Sequence, residues 1–124
     1  MSAPAPTSVE ELLLTADQLL EGRSGATPAG RHRGAAVALR TALEIAVDRT
    51  LDSAMAGLAR TKSTRAKMLC LRYCTTEETA RRAKALWSHL CLACHYHQYE
   101  IGPTRDQVRT WRAEVGELAE ELTP

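Results

Sequence analysis

The chain has 124 residues, 44% hydrophobic and 25% charged, with 16 Lys and Arg against 15 Asp and Glu for a net charge of +1. That length suits one domain around one core, and the balance excludes both a disordered polar chain and a membrane-embedded one. No apolar run approaches the ~20 residues of a membrane span, and the opening residues lack the basic-then-apolar order of a secretory signal. The expectation is therefore a cytoplasmic protein with reduced cysteines.

Residues 1–7 read as a disordered tail and residues 8–124 as a single helical domain. Ser8-Val9-Glu10-Glu11 fits a capping box, and Val9, Leu12, Leu13, Ala16, Leu19 and Leu20 continue it as a first helix that the Gly22 to Pro28 segment ends. Pro28 after Thr27 suits the first turn of a second helix. That helix is expected to be the longest, reaching about Arg60 along a stripe from Ala36 through Leu39, Leu43, Val47 and Leu51 to Leu58. A shorter helix is expected from Thr64 to about Cys74. Thr75-Thr76-Glu77-Glu78 then supplies a capping box for a fourth, which is expected to reach about His97. Gly102-Pro103 breaks the chain, and Thr104-Arg105-Asp106-Gln107 caps a fifth helix carrying Val108, Trp111, Val115, Leu118 and Leu122. No segment competes as a strand. Five one-faced helices bury their stripes only against one another, which predicts an all-α, single-domain, five-helix up-and-down bundle. Trp87 and Trp111 are expected to face each other in its core.

Chemistry concentrates in residues 87–104, which hold three of the four histidines and two of the four cysteines. Cys91-Leu-Ala-Cys94-His95 matches the covalent haem pattern, but such attachment belongs to exported proteins and is set aside. Cys70, Cys74, Cys91 and Cys94 offer two ligand pairs for a zinc ion, whereas buried free cysteines among leucines serve as small apolar filler. On a helical wheel Trp87, Leu90, Cys91, Cys94 and His95 share one side, which points His95 inward. Arg33, Arg40 and Glu44 line the second helix beside its apolar stripe. The expected site is a semi-buried cluster of Arg40, Glu44 and His95, joined by His97 or Glu100.

The charges also segregate. Arg60, Lys62, Arg65, Lys67, Arg72, Arg81, Arg82 and Lys84 gather in the middle of the chain while acids gather toward both ends, leaving room for one basic surface and an anionic partner.

The long Arg-containing second helix, the segment Leu-Cys-Leu-Ala-Cys-His at 90–95 and the turn Tyr99-Glu100-Ile101-Gly102-Pro103-Thr104 before an amphipathic last helix resemble the HEPN-like helical domains of bacterial and phage conflict systems. The resemblance implies a homodimer, no cofactor, and a role in phage defence or toxin–antitoxin pairing. In active members an Arg and a His spaced R-x4-6-H form a metal-independent ribonuclease site, and silent members serve as scaffolds or binding modules. Carried onto this chain, the pair is Arg82 and His89, with His89 as general acid or base and Arg82 on the scissile phosphate. Three readings follow: an effector or accessory protein acting on RNA or nucleotides, a non-enzymatic module that binds a protein partner, and a zinc-binding helical module.

Overall fold

A computed structural model of the chain describes residues 8–22, 27–95 and 102–123. Short-range capping chemistry starts each of its five α-helices. Ser8 Oγ accepts the Glu11 amide to begin α1 (Val9–Leu20), and Thr27 Oγ1 accepts the Gly30 amide to begin α2 (Pro28–Ala54) with Pro28 in its first turn. Ser63 caps α3 (Thr64–Cys70) through Ala66, and Thr76 caps α4 (Glu77–Cys94) through Thr79. Thr104 caps α5 (Arg105–Glu121) in a complete box, since Gln107 also accepts the Thr104 amide at 3.0 Å. The cap of α4 is therefore Thr76, one residue later than a box built from Thr75 and Glu78 would place it.

Three helix ends differ from expectation, each for a local reason. The second helix stops at Ala54 rather than near Arg60, because Met55 turns extended, Gly57 takes φ +81°, and Asp52 Oδ1 accepts the Ala59 amide at 3.0 Å. A 3₁₀ turn over Ala59–Thr61 then leads to α3. That helix ends at Cys70 and tightens into a second 3₁₀ turn, Leu71–Tyr73, rather than running on to Cys74. The fourth helix ends at Cys94, with His95 as its C-cap, rather than at His97.

The fold is all-α, and α2 is its axle, packing along α1 and against α3, α4 and α5. Its buried face is Ala35, Ala36, Ala38, Leu39, Ala42, Leu43, Ala46, Val47 and Leu51. The alternation of Ala with Leu lets neighbouring backbones come close while the leucines fill the space between. At Gly34 α1 comes close to α2: an added Cβ would lie 3.3 Å from Leu19 Cδ1. Leu86 and Leu90 from α4 and Val108, Val115 and Leu118 from α5 complete the centre. Trp87 and Trp111 sit half-buried at its margin rather than in it, and the fully buried large side chains are Leu and Val.

Directed polar contacts fix the helices laterally. Arg112 binds Asp17 through two hydrogen bonds of 2.9 and 3.1 Å and ties α5 to α1. Lys67 meets Asp48 at 2.8 Å and ties α3 to α2. Buried Thr50 donates to the Leu122 carbonyl at 2.6 Å, satisfying the end of α5 from the middle of the axle. No described helix is long and apolar enough to cross a membrane.

Candidate functional site

The seam between α2 and the last turn of α4 gathers the chain's most chemically varied side chains. Arg40 and Glu44, one turn apart on α2, approach to 3.8 Å with both side chains partly exposed. Opposite them, Cys91 is half-buried and Cys94 is buried. Burial pushes the Cys91 thiol above its ordinary pKa, and the Arg40 charge and a hydrogen bond from Arg40 partly offset that. Cys94 is raised for the same first reason, with Arg40 again opposing. Burial also raises the Glu44 carboxyl, Arg40 being the main opposing charge. Arg33 closes the seam by donating from Nη2 to the Cys94 carbonyl at 3.1 Å, which satisfies one of the orphan acceptors at the end of α4. Burial thus favours the protonated form of both thiols, as suits small side chains packed in a seam.

The predicted cluster is thus half present. Arg40 and Glu44 do pair, but their partners from α4 are Cys91 and Cys94, and His95 is exposed. The wheel that turned His95 inward assumed a helix continuing past it. His95 instead takes φ −110° and ψ 18°, its amide donating back to the Cys91 and Leu92 carbonyls, and the side chain leaves the seam. His97 and Glu100 lie outside the described residues.

Arg82 and His89 lie on α4, His89 exposed and Arg82 half-exposed. Arg82 is not available as drawn from the sequence. Its Nη1 donates to both carboxylate oxygens of Glu121 at 3.1 and 3.2 Å, and its Nη2 to Glu117 at 3.2 Å. The hydrogen bond to Glu121 is the main reason its pKa is raised. A fork already occupied by two carboxylates must shed them before it can hold a phosphate, and those carboxylates repel the incoming anion.

The four cysteines do not assemble as a zinc set. Cys70 and Cys74 pack beside the core, with Cys74 Sγ donating to the Cys70 carbonyl at 3.9 Å, while Cys91 and Cys94 face Arg40. Among the described residues no three His, Cys, Asp or Glu side chains come together as a metal-holding group.

The basic middle of the chain falls on α3, α4 and the turns beside α3. Residues 60–95 hold eight of the 16 Lys and Arg and two of the 15 acids. Two of the eight are spent inside the fold, Lys67 on Asp48 and Arg82 on the α5 glutamates. Arg60, Arg65, Arg72, Arg81 and Lys84 are exposed and have no ion-pair partner among the described residues. Arg65, Leu69 and Arg72 step along the outer side of α3 and the 3₁₀ turn after it, and Arg81, Lys84 and Ser88 along that of α4, against which α3 packs. Tyr73 is 82% exposed beside them, its ring centroid 5.5 Å from the Arg72 guanidinium carbon. The sequence signalled this surface through charge segregation; which cations stay free depended on contacts across the bundle. No known protein family, no curated protein and no solved structure matches the chain.

Proposed function

We propose that this chain is a small helical accessory module that binds RNA on its α3–α4 face and does not cut it, as in the silent members of the HEPN-like group it resembles. The observation that carries this reading is the partition of its cations. The arginine of the nuclease-type pair is bound to Glu117 and Glu121, whereas Arg60, Arg65, Arg72, Arg81 and Lys84, on α3, α4 and the 3₁₀ turns beside α3, are exposed with no ion pair among the described residues. Free cations on adjoining helices track a phosphate backbone, and release of condensed counterions drives the association. Tyr73 adds one aromatic face on which a base can stack.

Fluorescence anisotropy with an unphosphorylated single-stranded RNA tests the reading. Binding is expected to weaken with salt by about 0.7 log units per log unit of salt for each phosphate engaged. The triple variant Arg72→Glu, Arg81→Glu, Lys84→Glu is expected to weaken it at least roughly tenfold. The RNA should be recovered intact after long incubation with wild type. Salt-independent binding, binding unaffected by the triple variant, or RNA cleavage abolished by His89→Ala would each overturn it.

A further inference from the structure

We propose that the groove between the end of α1 and the first turns of α5 is a binding site for a phosphate monoester. The groove has a volume of about 320 Å³, within the range of small-ligand sites, and three of its walls are Arg105, Arg109 and Arg112. These recur at four- and three-residue steps, so they lie on one face of α5. Arg112 is held rigidly by its two hydrogen bonds to Asp17. Arg105 and Arg109 are exposed and have no partner among the described residues.

The acids in the groove do not cancel this charge. Asp17 is spent on Arg112, and Glu21 is not free either. Leu20 and Ala113 give the groove an apolar side against which the organic part of a monoester can rest.

A second observation points the same way. Arg105 is the first residue of α5, at the positive end of the helix dipole, and Arg109 repeats the charge one turn on. Both the dipole and the like-charge pair destabilise a helix carrying them. Local rules broken without a folding benefit mark sites kept for binding. A helix N-terminus and two planar guanidinium forks are the donor types that a terminal phosphate accepts from. A monoester, with its second ionisation near pH 6, brings a second negative charge that a diester in an RNA chain lacks.

Isothermal titration of the full chain with inorganic phosphate, ribose 5-phosphate and a 5′-phosphorylated dinucleotide tests this, and the three ligands separate free phosphate from a sugar phosphate or an RNA end. Saturable binding of at least one is expected below roughly 10 mM, tightening between pH 5.5 and 7.5 as the monoester gains its second charge. Among the described residues the charged lining is Arg, Asp and Glu, so the dependence is read against the ligand's own second ionisation. Arg105→Ala with Arg109→Ala is expected to weaken binding at least roughly tenfold and to leave helix content and thermal stability equal or higher. The triple charge reversal on α3–α4 should leave it unchanged, so this site and the RNA face stand or fall separately. No saturation by any of the three ligands, an undiminished affinity in the double variant, or equal affinity at both pH values would overturn the proposal.

Discussion

At the residue scale, the seam between α2 and α4 shows how burial and pairing compete. Glu44 is only partly exposed, and its lost hydration outweighs the attraction of Arg40, so its carboxyl titrates above the ordinary range. The folded state therefore takes up a proton more readily than the unfolded chain, and protonating Glu44 favours folding. Lowering the pH from neutral through its raised folded pKa toward 4.5 should recover stability at this residue, and raising it should remove that gain. Urea unfolding of wild type and Glu44→Gln at pH 5 and pH 7 checks the sign. The variant's stability relative to wild type is expected to be greater at pH 7 than at pH 5; a constant difference would mean that Glu44 titrates alike in both states. Arg40 also explains why two cysteines can occupy a partly polar seam: its guanidinium gives the Cys91 thiol a hydrogen-bond partner while burial keeps the proton on sulfur.

At the element scale, the helices are started by side chains that belong to them and stopped by contacts that do not. Every cap that begins a helix is a Ser or Thr accepting an amide three residues on. The last one matters most, because α5 follows Gly102-Pro103 and carries unfavourable cations in its first turns. Thr104→Ala removes the Thr104 half of the box and is expected to lower unfolding free energy by about 1 kcal/mol, measured by urea denaturation; Thr104→Ser should restore most of it. The ends are another matter. The end of α2 depends on Gly57 adopting a left-handed conformation and on Asp52 reaching forward to Ala59, while the end of α4 is met by Arg33 from a different helix.

At the scale of the whole molecule, α2 organises both the core and the charge map. Leu39 lies fully buried near its middle among small alanines. Leu39→Ala should cost about 2–5 kcal/mol, since the deleted atoms leave a cavity that the surrounding helices only partly close, and the urea midpoint would report it. Around this core the bundle sorts its ion pairs. Acids of α5 take Arg82 and an acid of α2 takes Lys67, which leaves Arg65, Arg72, Arg81 and Lys84 on and beside α3 and α4 without an ion pair among the described residues. A net charge of +1 thus conceals an uneven distribution along the chain, with eight of the 16 Lys and Arg and two of the 15 acids in residues 60–95.

The helical class, the number of helices and their starting points were legible in the amino-acid order, because apolar period and capping chemistry act within three or four residues. Arg40 with Glu44 was legible for the same reason, being one turn apart. The inward placement of His95 failed because it depended on where α4 stops, and a helix end is decided by which distant donors reach its last carbonyls. The commitment of Arg82 to Glu117 and Glu121, partners 35 and 39 positions away, leaves no local trace in the chain. The same holds for the Asp17 clamp on Arg112, across 95 positions. Sequence determined which rods form and which faces are apolar. Only their packing decided which charges are spent on one another and which are left to meet a partner, because Coulombic pairing depends on separation in space and these partners are far apart along the chain.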